Sequence, residues 1–139
     1  MLTYLHPEEG WNSADPNAYS TVMYLTYRNF TALFTGDLEG EGEKLVKEKL
    51  PDILPARGIT LLKVAHHGSK NSTDEAFLQA VNPQIALISS GRNNRYGHPH
   101  EELLERLEDC GCLIYRTQES GAITVRVRNG KVRVEEYID

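Results

Sequence analysis

Residues 59–73 read ITLLKVAHHGSKNST, an apolar run that stops at two adjacent histidines and continues in small and polar residues. How that stop is read decides the fold. If Ile59 to Ala65 is a core strand, His66 and His67 lie where its backbone leaves the sheet, and the pleat sends them to opposite faces. Glycine at Gly68 lets backbone approach a ligand, and the hydroxyls and amide of Ser69, Asn71 and Ser72 can hold an oxyanion. The ordinary alternative is a satisfied histidine followed by a helix cap.

Outward from this strand, the pattern alternates between strand and helix. On the N-terminal side, YSTVMYLTYR (residues 19–28) and FTALFTGD (30–37) form a hairpin about Arg28-Asn29. GEGEKLVKEKL (40–50) is then an amphipathic helix that Pro51 helps to end. On the C-terminal side a helix opens at Ser72 or Thr73, with Asp74 and Glu75 at its positive end. QIALISS (84–90) is a buried strand, HEELLERLEDCG (100–111) a helix capped by Gly111, and CLIYRT (112–117) a strand. AITVRVRNGKVRVEEYI (122–138) is a hairpin about Asn129-Gly130.

These elements predict an α/β fold, a mixed β-sheet with helices on one face and hairpins at both ends. In YSTVMYLTYR both faces are partly apolar, Val22 and Tyr24 on one side, Met23, Leu25 and Tyr27 on the other, so both need a cover. The predicted helices cover one. Either the chain forms a homo-oligomer through the open face, or another piece of protein lies there.

The 139 residues are enough for one domain, and the formal charge of −5 argues against a protein that coats nucleic acid over its whole surface. No apolar run is long enough to cross a bilayer, and MLTYLHPEEG has no signal-peptide pattern. Cys110-Gly111-Cys112 is too tight for an ordinary disulfide and too sparse for a zinc site alone, so both read as unpaired structural thiols.

Three loops that follow strand ends carry metal-binding and phosphate-binding side chains. Asp37 follows TALF and could instead cap the next helix. His66, His67, Ser69, Lys70, Asn71 and Ser72 make the second. The third, SSGRNNRYGHPH (89–100), carries Arg92, Arg95 and His98, with His98 biased by Pro99 to an extended backbone and His100 read as solvated. Strands entering from one side of the sheet bring such loops to one edge. Imidazole and carboxylate suit zinc, manganese or iron, and a carboxylate can bridge two ions.

In order, FTGDLEGEGEKLVKE, LLKVAHHGSKNST, LISSGRNNRYGHPHEELLERL and YRTQESGAITVRV resemble the C-terminal metallo-β-lactamase-like domain of the ComEC family of DNA-uptake competence channels, over residues 17 to 128. The resemblance implies a four-layer αββα sandwich with a two-ion zinc or manganese site between its sheets. It makes Asp37 the bridging carboxylate and His98 a ligand. His66 becomes the third metal residue, with His67 and Ser69 as catalytic candidates, although which imidazole touches metal and which phosphate stays open. Lys70, Asn71, Ser72, Arg92 and Arg95 become phosphate-binding candidates.

The implied activity is metal-dependent phosphodiester hydrolysis, a nuclease acting on the strand of incoming DNA that is not imported. Its partners are single-stranded DNA, the upstream half of the domain and a channel in the cytoplasmic membrane, with this domain on the extracytoplasmic side. The superfamily's upstream string His-x-His-x-Asp-His has no counterpart here, so residues 1–139 are the distal half of the domain, of low or no activity alone. The alternatives are a non-catalytic or oligomerising fragment and a hydrolase of small phosphoesters. Arg126, Arg128, Lys131 and Arg133 read either as guards of a sheet edge or as DNA contacts.

Overall fold

A computed structural model describes residues 1–138. In chain order the elements are β1 (Leu2–His6), β2 (Val22–Tyr27), β3 (Phe30–Phe34), α1 (Gly40–Ile53), β4 (Leu61–Lys63), α2 (Glu75–Val81), β5 (Ile85–Ile88), α3 (Glu101–Cys110), β6 (Leu113–Arg116), α4 (Thr117–Ser120), β7 (Ala122–Arg128) and β8 (Lys131–Tyr137). Among the described residues, β1 to β6 lie side by side in sequence order in one sheet, and β7 pairs with β8 in a second. β1, β2 and β3 are antiparallel neighbours, whereas β3 to β6 are parallel.

Each parallel step needs a crossover, made by α1, α2 and α3 in turn. Right-handed crossovers that always advance in the same direction put every helix on the same face of the sheet. Val22, Tyr24, Leu33, Leu62, Ala86 and Ile88 on that face join Val46, Leu50, Phe77, Leu78, Leu103 and Leu107 from the helices in one buried core. Because β3 to β6 run the same way, their C-terminal ends share one edge. The three polar loops leave from that edge.

The opposite face is not bare. Phe30, Ala32, Leu61 and Ile85 are buried there, with Val125, Val127 and Val134 of the C-terminal hairpin packed against them. The hairpin covers only the middle: Leu2, Tyr4, Tyr27 and Leu113 remain more than half or about half exposed, and the cross-strand register puts them on this same face. The mixed sheet with helices on one face is as the sequence predicts. The partial cover from β7 and β8 is the difference.

Some boundaries also differ. β4, at Leu61–Lys63, is shorter than the expected Ile59 to Ala65, because Ala65 to Gly68 curls into a 3-10 turn. His66 and His67 both adopt positive φ, 45° and 54°, so they belong to a turn and not to a pleat. α2 begins at Glu75 rather than at Ser72 or Thr73, because Asp74 accepts the Phe77 N–H at 2.6 Å and so provides the cap. α1 runs through Pro51 to Ile53: the proline forfeits the one N–H that would reach Lys47, and the Leu54 N–H still closes the last turn on the Leu50 carbonyl at 2.8 Å. β1, an edge strand with modest alternation, and the single turn α4 had no clear signal.

Cys110 and Cys112 are unpaired, as expected. Burial pushes both thiols up, Cys112 to about 11, and the Cys112 thiol points to the Leu107 carbonyl. They are packing groups around the left-handed Gly111 at the end of α3.

Candidate functional site

The first loop leaves β3 at Thr35, whose hydroxyl donates to the Lys63 carbonyl at 2.7 Å and ties the end of β3 to that of β4. Gly36, at φ 53°, turns the chain, and its carbonyl accepts the His66 N–H at 3.0 Å and the Lys63 ammonium at 3.2 Å. Asp37 is held by its own N–H on the Ser20 hydroxyl, 3.0 Å. It does not cap α1, whose flanking residue is Glu39. The capping alternative for Asp37 therefore falls away, and its carboxylate faces His67 instead, Oδ1 to Nε2 3.4 Å.

In the second loop the two histidines are aimed apart. The His67 Nδ1 lies 2.6 Å from the Ser89 carbonyl. A carbonyl only accepts, so Nδ1 carries a proton, and Nε2 is the ring nitrogen aimed at Asp37. The His66 Nδ1 sits 2.7 Å from Glu39 Oε1, yet both atoms are buried without a well-directed hydrogen bond. Two non-glycine residues at positive φ store backbone strain of about 1–3 kcal/mol each, of the kind concentrated at functional sites. Gly68, at φ 89°, lies so close to the third loop that a Cβ there would come within 2.6 Å of Pro99.

The third loop is braced from within. Asn94 donates to the Gly91 and His98 carbonyls at 2.8 and 2.6 Å and accepts the His98 N–H at 2.8 Å. This presents the His98 ring 5.5 Å from that of His66, stacked on Tyr96 at 5.8 Å and edge-on to His100 at 4.7 Å. Desolvation, with the neighbouring His100, His66 and His67 imidazoles, pushes the His98 pKa down and favours a neutral ring. His67, Ser90, Gly91, Asn94, Tyr96 and His98 line a cleft of about 220 Å³.

Asp37, His66, His67 and His98 thus meet at one edge. The phosphate candidates are more dispersed. The Lys70 ammonium is 3.4 Å from Glu102, and the Lys70 backbone N–H donates to His100 Nδ1 at 3.0 Å, so His100 is not simply solvated. Arg92 donates to the Gln118 carbonyl at 3.0 Å, and Arg95 lies over the Tyr96 ring at 4.9 Å. Neither arginine lines the cleft. Asn71 is exposed, whereas Ser69 is buried and its hydroxyl accepts the Asn71 N–H. Ser72 is fully buried and its hydroxyl donates to the Ala65 and Ser69 carbonyls. As an oxyanion contact Ser72 is corrected by that geometry: it closes the loop from inside.

Reasoning from the residues missed Glu39, Asn94, Tyr96 and Lys63. Glu39 gave no periodic signal, because Gly36 and Asp37 form a turn and no strand pattern continues to it. Burial pushes the Lys63 pKa down while the Asp37 carboxylate pulls it up. Neutral imidazole and carboxylate are the donors that zinc or manganese takes, and the His66–Glu39 pair, buried without a well-directed hydrogen bond, fits a cation or a shared proton. Among the described residues, however, no group of three or more His, Cys, Asp or Glu side chains converges on one point. The residues fit one side of a coordination shell.

Residues 13–92 match the family described as the Metallo-beta-lactamase superfamily. The chain is 40% identical over 121 residues to ComE operon protein 3 of Bacillus subtilis (strain 168), covering 87% of this chain and 15% of that protein. It is 35% identical over 132 residues to Competence protein ComA of Neisseria gonorrhoeae, covering 95% of this chain and 18% of that protein. To Recombination protein 2 of Haemophilus influenzae it is 33% identical over 132 residues, 95% of this chain and 16% of the other. It therefore spans less than a fifth of the length of these relatives, and no helix among the described residues is long and apolar enough to cross a membrane. With more than half its length inside the family match, and with Asp37, His66 and His67 inside it too, the chain belongs to the metallo-beta-lactamase superfamily.

Proposed function

We propose that this chain supplies the distal half of a metal-dependent phosphodiesterase site that cleaves DNA during uptake, in a longer channel protein of the cytoplasmic membrane with this domain on the extracytoplasmic side. The observation that carries the reading is the meeting of Asp37, His66, His67 and His98 from three loops at one sheet edge, beside an open cleft. The competence relatives support DNA as the substrate class.

Two divalent ions, when bound, would supply a nucleophile at neutral pH and neutralise charge on the phosphoryl oxygens. The chain's own part is to hold them. The hydrogen bonding supports His67 over His66 as the imidazole that shares a cation with Asp37, because the Ser89 carbonyl fixes its tautomer and leaves Nε2 free. His98, kept neutral, offers a second nitrogen. His66, with Nδ1 2.7 Å from Glu39 Oε1, is then oriented by that carboxylate beside His98.

The chain of residues 1–139 alone is expected to show low or no activity, because the superfamily's His-x-His-x-Asp-His string has no counterpart in it. Joined to its upstream segment and given manganese or zinc, it cleaves single-stranded DNA. Asp37→Ala lowers that cleavage by at least about a hundredfold, the scale of removing a group that acts on the developing charge. Cleavage that survives the substitution overturns the assignment, and hydrolysis of a small phosphoester without any on DNA favours the small-substrate reading.

A further inference from the structure

The outer face of the C-terminal hairpin carries an arrangement that stability alone does not explain. In the register of β7 and β8, Arg126 stands directly opposite Arg133 and Arg128 directly opposite Lys131. Like charges facing each other across an antiparallel pair destabilise it. One lysine would guard an edge. Here four cations form two facing rows in a chain whose net charge is −5. Their alternates Val125, Val127 and Val134 turn inward to the sheet, so the hairpin is fixed with its basic side outward.

The Arg126 and Arg133 side chains are 62% and 78% exposed. Both lean on the Glu135 carboxylate, at 3.0 and 3.4 Å, while Arg128 and Lys131 have no ion pair among the described residues. With Asn129 and Glu135 they line a groove of about 430 Å³. Alternate residues of a strand repeat every ~7 Å, so the cations form a ladder suited to a linear polyanion. Tyr137, half exposed, falls two residues beyond Glu135 on the same face. An exposed aromatic beside a basic track is what an unpaired base stacks on.

The direction of the ladder is also set. At its base, Thr117 and Gln118 of α4 bond to Ser90 and Arg92 of the third loop, beside the cleft. At its tip, the Gly130 carbonyl accepts from Asn29 at the opposite edge of the sheet. A strand lying on the hairpin would therefore run from the far edge toward the cleft. An anionic membrane fits less well, because the tip is Asn129-Gly130, tied to Asn29, and offers no apolar side chain to insert.

We infer that the outer face of β7 and β8 is a second, sequence-independent contact for single-stranded nucleic acid, with Arg126, Arg128, Lys131 and Arg133 on the phosphates and Tyr137 under a base. It rests on the proposed function only for the choice of polymer, and binding is read without cleavage. The test is fluorescence anisotropy of a labelled oligothymidine of about 20 nucleotides with the full chain in EDTA, across a salt series. Reversing Arg128→Glu, Lys131→Glu and Arg133→Glu together weakens binding at least tenfold and lowers the salt slope by about 2, from three lost phosphate contacts. The milder pair Arg128→Gln and Lys131→Gln, which breaks no ion pair, weakens it about threefold or more and serves if the triple variant fails to fold. Because binding is read in EDTA and cleavage only with metal, loss of cleavage in Asp37→Ala and loss of this contact in the hairpin variants are separable. Unchanged affinity and slope in a folded variant overturn the proposal, as does binding that shifts only for phosphatidylserine vesicles.

Discussion

Glu43 shows how one buried carboxylate joins two elements. Its oxygens accept the N–H groups of Thr73 and Asp74 at 2.5 and 3.0 Å, so a residue of α1 closes the turn before α2, where Thr73 sits at φ 54°. Burial pushes its pKa up, and the nearby Asp74 carboxylate pushes the same way, against the two N–H bonds and Lys47. Between the ordinary carboxylate value and this raised one, the folded chain keeps a proton that the unfolded chain has released. Stability from this group is therefore full below the ordinary value and falls as pH rises through the window. Urea midpoints measured from about pH 4 to 8 should show that decline, and Glu43→Gln should flatten it. Glu43→Ala should cost about 1–3 kcal/mol by leaving a buried N–H without an acceptor. A midpoint unmoved by Glu43→Ala would remove the residue from this role.

The loops at the sheet edge are positioned by one another as much as by the strands. Gly68 is the contact point: its carbonyl accepts the His100 N–H at 3.0 Å, and a methyl there would meet Pro99 while asking alanine to adopt φ 89°. Gly68→Ala should destabilise the chain by about 1–3 kcal/mol through overpacking and backbone strain, and displace the loop that carries His98. Thermal melting measures the first effect. The second is read in the histidine ring resonances, where those of His98 should shift more than those of the distant His6. A variant with native melting and unchanged His98 resonances would show that the two loops are independent. Strand, helix and hairpin identities were legible because apolar period and turn residues are local signals, as at Asn129-Gly130. The cap of α2 was misplaced by one or two residues because Ser72, Thr73 and Asp74 have similar capping chemistry. The choice among them was made by Glu43, thirty positions away.

At the scale of the molecule, the helix-covered face is complete and the other is half covered. Leu2, Tyr4, Tyr27 and Leu113 stay exposed around the patch that Val125, Val127 and Val134 seal. Apolar margins exposed on both sides of the hairpin promote association. The chain by itself should self-associate near 100 µM, roughly the range of modest hydrophobic interfaces. Tyr4→Lys with Leu113→Lys should return it to monomer in sedimentation velocity without lowering its melting point. A monomeric parent chain at that concentration would sink the expectation. Under the proposed function an upstream half of the domain would compete for this face, and adding such a segment should then dissolve the oligomer.

Read alone, the chain determined the order of its elements apart from β1 and α4, the mixed sheet with helices on one face, and the candidate residues Asp37, His66, His67 and His98. Each rests on local pattern or on the spacing of reactive side chains, which a linear string carries in full. Tertiary structure decided which of those side chains meet. It turned His67 to the Ser89 carbonyl and so toward Asp37, brought Glu39 to His66, buried Ser72, and carried Lys70, Arg92 and Arg95 to other partners. It also folded the C-terminal hairpin under the sheet with four cations outward. The physical reason is the same in each case: a side chain's role depends on partners distant in sequence, and only packing brings those partners within a hydrogen bond's length.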